Sequence, residues 1–296
     1  MSTLIELAAQ RLEKLQQAGA VVPEAGGIKK EREVSETSQS SQVGGLTSRY
    51  VEIDFDVLEK SGIVNPSAAR SNIADQYRVI KRPLISNATG KGASKIENGN
   101  LIMITSALPG EGKSFTALNL AMSMATELDY TVMLVDADVG RPSIMNLLGL
   151  PASPGLLDLV MDDSQDVSSV LLRTNIDKLT ILPSGTAHPR ATELLASDAM
   201  VRLLSGMAKR YTDRIIIFDS PPLLAATESR VLASSVGQIV MVVCAERTLQ
   251  SDVLKALEMI ESCPVKLVLL NQARSHAKSS YGYGYGYGYD YEKLKA

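Results

Sequence analysis

From residue 101 onward the chain alternates between short, continuously apolar runs and longer stretches with helical spacing. Leu101-Ile102-Met103-Ile104-Thr105-Ser106 ends in a Gly-rich turn, and residues 132–135, 178–182, 214–218, 238–243 and 266–270 repeat the apolar pattern. Runs this short, without in–out alternation, predict strands buried on both faces. Between them, residues 114–128, 191–210 and 249–262 read as helices. In the first of these, Phe115, Leu118, Leu120, Met124 and Leu128 are available for packing. The alternation predicts an α/β fold with a mostly parallel central sheet covered by helices on both faces. In such sheets ligands sit beyond the carboxyl ends of the strands, and here the first strand runs directly into the Gly-rich turn.

Upstream the pattern differs. Leu4, Ile5, Ala8, Leu12 and Leu15 fall at helical spacing within residues 1–18, predicting an amphipathic helix whose mixed charge suits protein contact better than a membrane surface. Residues 19–49, rich in Gly, Ser, Glu, Lys and Gln, read as a flexible linker. A short strand at 50–55 and a short helix over 54–59, broken near Gly62, precede a stronger helix over 67–82 with Pro83 near its stop. Asp75, Arg78 and Arg82 share one face of that helix, as a solvated surface or as a stripe that pairs with another subunit. The expected organisation is therefore an N-terminal helix, a linker, a main domain over 50–280 and a tail over 281–296.

Composition narrows the function classes. A formal net charge of −3 gives no argument for nucleic-acid binding. Cys244 and Cys263 form no CxxC pair, and two histidines are too few for a His-rich metal site. The two cysteines read as reduced structural thiols of a cytoplasmic protein. His188 lies in a loop and is left out of the chemistry. No apolar run is long enough to span a bilayer, and Glu6 and Glu13 make the first residues unlike a secretory signal.

Three segments carry chemistry. Ala107-Leu-Pro-Gly-Glu-Gly-Lys-Ser114 matches the phosphate-binding P-loop pattern except at its first position, where Ala107 replaces Gly. Pro109 and Gly110 shape the early turn, and Gly110 and Gly112 permit backbone shapes that a Cβ would hinder. The amides from Gly110 through Glu111, Gly112, Lys113 and Ser114 to Phe115 can converge on phosphate oxygens at a helix N-terminus. Lys113 is placed to neutralise the β- and γ-phosphates of ATP, and Ser114 to offer its hydroxyl to Mg2+. The second segment is the strand ending Asp136-Ala137-Asp138. There Asp136 can orient or deprotonate an incoming hydroxyl and Asp138 can act through magnesium; a turn or cap role is the alternative for each. The third is the strand ending in Asp219, followed by Ser220-Pro221-Pro222, where Asp219 suits a magnesium-organising carboxylate. Asn271, after the last apolar run, either reads the adenine edge or serves as a turn residue.

The tail suggests the reaction. Six of the ten tyrosines, Tyr281, Tyr283, Tyr285, Tyr287, Tyr289 and Tyr291, occupy eleven positions that otherwise hold Gly and one Asp. The glycines oppose a stable local fold and leave the phenols accessible, as in a flexible multi-site substrate. The HRD, DFG and VAIK signatures of eukaryotic-type kinases are missing, so kinase activity here would run on P-loop machinery. Phosphoryl transfer needs mainly positioning, magnesium and charge neutralisation, which such machinery supplies.

In these motifs the chain resembles the bacterial tyrosine kinases (BY-kinases) of polysaccharide synthesis and export. The resemblance rests on Ser106–Ser114, on Asp136-Ala137-Asp138 with Arg141-Pro142, on Asp219-Ser220-Pro221-Pro222 and on the tyrosine cluster, and it covers about residues 67–296. The run Tyr77–Leu84 and the Tyr-Gly tail are similar to one branch, the tyrosine autokinase associated with exosortase (XrtA, PEP-CTERM) exopolysaccharide loci. The resemblance implies a MinD/ParA-like P-loop fold and ATP-dependent autophosphorylation of the tail between subunits of a homo-oligomeric ring. It also implies a membrane-embedded chain-length-determinant (Wzz-type) activator, a protein-tyrosine phosphatase and peripheral attachment to the inner membrane through the partner. Lys113, Ser114, Asp136, Asp138 and Asp219 carry over without substitution. The family's ExxRxxR-like ring helix finds its nearest match in Asp75, Arg78 and Lys81, with Arg82 adjacent. A ParA/MinD-like ATPase is the alternative. Against it stand Leu108, where many such proteins carry a signature lysine, and the tyrosine tail.

Overall fold

The computed structural model describes residues 48–66, 71–92, 94–210 and 213–273. The expected N-terminal helix, nearly all of the expected linker and the tyrosine tail lie outside the described residues.

Among these residues the strands are β1 (Arg49–Val51), β2 (Leu101–Ser106), β3 (Thr131–Asp136), β4 (Leu172–Thr174), β5 (Leu179–Leu182), β6 (Arg214–Asp219), β7 (Gln238–Cys244) and β8 (Val265–Asn271). They form one sheet in the order β1-β4-β5-β3-β6-β2-β7-β8. Each neighbouring pair is parallel except β4 with β5. The central strands are buried almost throughout, as their continuous apolar runs predict. Their side chains alternate between two cores: Met103, Met133, Ile216 and Met241 pack on one face, and Ile102, Ile104, Leu134, Ile217 and Val240 on the other. The edge strand β8 alternates instead, leaving Val268 and Leu270 exposed.

The topology builds the site. β2 and β3 are consecutive, yet β6 lies between them. Their carboxyl ends therefore meet around β6, with Asp219 in register with Ile104 on one side and Asp136 on the other. This crevice is where a parallel sheet of this kind holds its ligand.

The helices are α1 (Phe55–Lys60), α2 (Asn72–Ala88), α3 (Lys113–Ala125), α4 (Ile144–Leu147), α5 (Leu156–Met161), α6 (Ala191–Leu195), α7 (Asp198–Arg210), α8 (Glu228–Ser235) and α9 (Gln250–Glu258). Four expectations need correction. The helix expected over 67–82 starts at Asn72, behind the extended Ser71 whose hydroxyl accepts from the Ala74 amide, and runs through Pro83 to Ala88. Pro83 cannot donate to the Val79 carbonyl, but Val79 is on the solvent side, and the buried Leu84 and Ile85 draw the helix onward. The helix expected over 114–128 stops at Ala125, where Thr126 caps it, so Leu128 stays exposed. The stretch 191–210 is split because Ser197 turns the chain, bonding Leu194 behind it and the Met200 amide ahead. The stretch 249–262 is helical over Gln250–Glu258 and ends in turns.

α2 is fastened to the end of α3. Lys81 is buried and donates to the Ser123 carbonyl and to Thr126 (3.1 Å), and its ammonium lies 2.8 Å from Glu127. A cation at a helix C-terminus is well placed against the macrodipole. Lys81 is thus used within the chain, whereas Asp75, Arg78 and Arg82 remain exposed and Asp75 pairs with Arg78.

Candidate active site

The turn between β2 and α3 is the P-loop expected from sequence. Gly110 (φ 79°) and Gly112 (φ 95°) both adopt left-handed backbone. At Gly112 a Cβ would stand 2.1 Å from the Asn271 amide nitrogen, so both conformation and space demand glycine there. Lys113 and Ser114 open α3, placing the free amides of its first turn at the mouth of the loop.

The loop is braced from the neighbouring strands. Glu111 is buried; its carboxylate accepts from the Leu108 amide (2.7 Å) and from the Thr248 hydroxyl. The Asn271 side chain donates to the Glu111 carbonyl (2.9 Å), and the Arg247 guanidinium donates to the Gly110 carbonyl. Ala107 is fully buried, which accounts for a small apolar residue in place of the usual glycine. The contributions of Arg247, Thr248 and the Glu111 side chain were missed from sequence. The available signal for Arg247 and Thr248 was their position, just past the end of β7, the strand next to β2, and for Glu111 its place within the loop itself.

The three aspartates converge, with different surroundings. Asp138 lines the cleft; one carboxylate oxygen lies 3.6 Å from the Lys113 ammonium and the other accepts from the Arg141 amide (3.2 Å). Asp136 is fully buried behind it. Its Oδ2 accepts the amides of Ser143 and Ile144, both at 3.1 Å, tying down the start of α4, while Oδ1 has no hydrogen-bond partner. Desolvation, with the Asp138 charge adding to it, raises Asp136 to about 6 against the two amides that hold it down. Asp219 is fully buried and neither carboxylate oxygen has a well-formed hydrogen bond. Desolvation pushes it up to about 7, reinforced by Asp136 and opposed by the nearby Ser114 hydroxyl and the Lys113 charge.

A cleft of about 440 Å3 opens over these groups, lined by Gly110, Lys113, Ser114, Asp138, Arg141 and Glu228 among others. Pro109 and Gly110 are exposed at its rim. Phe115 turns its ring toward the core under the sheet, so any ligand contact it makes is through its backbone amide. Among the described residues no group of three or more His, Cys, Asp or Glu side chains could hold a metal ion alone. The Ser114 hydroxyl and the Asp138 carboxylate at the cleft suit magnesium, which is bound by one or two protein groups together with substrate phosphates and water. The unpartnered oxygens of Asp219 and Asp136 in a cradle of amides and one lysine fit such an ion, because buried carboxylate oxygens otherwise carry a desolvation cost. No helix among the described residues is long and apolar enough to cross a membrane.

Comparison with known proteins agrees with this geometry. The family described as an AAA domain matches residues 99–267. The tyrosine-protein kinase YwqD of Bacillus subtilis is 31% identical over 222 residues, covering 74% of this chain and 90% of that protein. The putative tyrosine-protein kinase EpsB of Ralstonia nicotianae is 31% identical over 175 residues, covering 59% of this chain but 23% of that longer protein. The crystal structure of the chimerical protein CapA2B2 is similar with a TM-score of 0.61 at 28% identity, covering 77% of this chain and 94% of that one.

Proposed function

The chain belongs to the bacterial tyrosine-protein kinases, and on that footing we propose that it phosphorylates the C-terminal tyrosine cluster of a second copy of itself. The observation that carries this reading is the pairing of a complete P-loop site with six tethered phenols, Tyr281 to Tyr291. A ParA/MinD-like ATPase would use the same loop but has no use for such a tail.

In the reaction, Lys113 and the amides from Gly110 to Phe115 hold the β- and γ-phosphates of ATP. Ser114 and Asp138 would hold magnesium, with the buried Asp219 carboxylate behind them to support its site. When bound, the ion supplies charge neutralisation across the phosphates. The bond from the γ-phosphorus to the β–γ bridging oxygen breaks, the phenol oxygen bonds to phosphorus, and the phenol proton passes to a carboxylate. Of the two candidates on β3, Asp138 faces the cleft, whereas Asp136 is enclosed and tied to the 143–144 amides. Asp138 is therefore placed to meet the phenol, and Asp136 to position the loop that carries it. Asn271 acts as a brace on Glu111 rather than as an adenine reader.

Around this activity we place an oligomer that uses the exposed Asp75, Arg78 and Arg82 of α2, the surface left once Lys81 is buried. Phosphorylating the six phenols adds about −1.5 to −2 charges each and would drive such an assembly apart. The Tyr77–Leu84 run and the Tyr-Gly tail support the exosortase-associated branch. With that branch come control of exopolysaccharide synthesis, a Wzz-type membrane activator, a phosphatase and attachment to the inner membrane through the activator. The test is direct. A Lys113→Met chain, unable to use ATP, is mixed with an active chain truncated before Tyr281, with ATP and magnesium. Mass spectrometry should find phosphate on Tyr281–Tyr291 of the Lys113→Met chain; release of free phosphate with an unmodified tail would move the assignment to an ATPase.

A further inference from the structure

A second cleft, of about 580 Å3, lies beyond the ends of β3 and β5. Pro142 and Met145 form one wall, Ala152 and Pro154 a second, and Pro183 and Ala187 a third. It adjoins the donor cleft: Pro142 stands between Arg141 and Ser143, which line that cleft. Its walls are fixed. The Asp158 carboxylate accepts from the Gly155 amide (2.7 Å) and the Thr186 amide (3.1 Å), and the Leu156 and Leu157 amides donate to the Pro183 and Ser184 carbonyls. The loops approach so closely that a Cβ on Gly155 would lie 2.0 Å from the Pro183 carbonyl oxygen. The groove is preformed, and none of the residues that line it is charged.

We infer that this groove is the acceptor subsite, seating the Tyr-Gly tail of a second copy while one phenol enters the donor cleft. The inference rests on the kinase reading above. Three features select this occupant. The stretch Tyr281–Tyr289 carries no charged residue, matching an uncharged groove. In an extended chain its phenols fall on one side at roughly 7 Å intervals, and the glycines between them let the backbone lie close to a proline-lined wall. Path, rather than reach, favours a second copy. β8 and the groove are four to five strands apart, roughly 20 Å at about 4.8 Å per strand. The chain's own residues 272–280 extend at most about 30 Å and would have to cross the mouth of the donor cleft.

The absence of charge also gives the subsite a direction. A phenol already phosphorylated carries about −1.5 to −2 charges and meets no cation among the residues that line the groove, so a phosphorylated stretch of tail is seated less well than an unmodified one.

The probe is a synthetic peptide of residues 280–292, in unmodified and fully phosphorylated forms, offered to the full-length protein with ATP and magnesium. The exposed groove residues are changed by Ala152→Trp and Ala187→Trp, and Val201→Trp, exposed on α7, serves as the comparison. The expected result is a rise in KM for the peptide of about tenfold in both groove variants, with kcat moving far less and Val201→Trp like wild type. Ala187→Lys should turn the phosphorylated peptide from a non-inhibitor into a competitive inhibitor, a gain that misfolding cannot mimic. If wild type fails to phosphorylate the peptide, the kinase reading of the tail fails and the subsite with it. If wild type phosphorylates it and the groove variants share its KM, or Ala187→Lys gains no affinity for the phosphopeptide, the subsite alone is overturned.

Discussion

Replacing Asp219 by Asn should abolish phosphoryl transfer and at the same time stabilise the nucleotide-free protein at neutral to alkaline pH. The carboxylate is fully buried, without a well-formed hydrogen bond, and is raised from 3.8 to about 7 by desolvation. Because the folded value lies above the unfolded one, the folded state holds the extra proton between about pH 4 and 7. Its contribution to stability is complete below that window and is lost as pH rises through 7. Asp136, raised to about 6, acts with the same sign. A shift of about three units corresponds to roughly 4 kcal/mol at about 1.4 kcal/mol per unit. The Asn amide is itself poorly partnered there, which offsets about 1–3 kcal/mol, so the net gain at pH 8 should be on the order of 2 kcal/mol. For a domain of this size that is roughly 4–8 °C in Tm. The assay is thermal unfolding from pH 5 to 8.5 with EDTA and no nucleotide. Wild type should lose stability across the range, Asp219→Asn should lose less, and the two curves should converge near pH 5. Parallel curves, or a less stable variant at pH 8, would refute the argument that an unpartnered buried charge strains the resting site.

Gly112→Ala should remove ATP binding, because φ 95° and the 2.1 Å approach to Asn271 leave no room for a methyl group; titration with a fluorescent ATP analogue should show at least about a tenfold loss. Lys81→Met should destabilise the fold by about 1–3 kcal/mol in urea unfolding, since it strands Glu127 and the last carbonyls of α3, and unchanged stability would contradict the fastening of α2 described above. Asn271→Ala should weaken ATP and GTP binding by similar factors, about tenfold each, if its amide serves the loop; selective loss for ATP alone would restore the adenine-reading role.

The central sheet was legible because its strands are covered on both sides, and such strands write themselves as uninterrupted apolar runs. β4 left no such mark. Leu172-Arg173-Thr174 is three residues with an exposed Arg in the middle, and its antiparallel place beside β5 comes from the chain doubling back. Helix ends were misjudged where a single hydroxyl decides them, at Ser71, Thr126 and Ser197. Pro83 misled for the opposite reason: burial of the following turn outweighs one missing hydrogen bond. At the site, the P-loop residues were visible because their spacing is local to one loop. Those that hold the loop were not, since Thr248 bonds Glu111 across 137 positions and Asn271 does so across 160. Lys81 shows the limit of motif spacing, for its place in a pattern of surface charges gave no hint that it is buried.

These long-range bonds bear on how the site is organised. The P-loop carbonyls and the Glu111 carboxylate are held by Arg247, Thr248 and Asn271, all at the carboxyl ends of β7 and β8. The loop therefore takes its shape in part from protein groups on the neighbouring strands, which leaves less ordering for nucleotide binding to supply. The brace also lies close in sequence to the tyrosine cluster: Asn271 is the last residue of β8, and Tyr281 follows ten positions later.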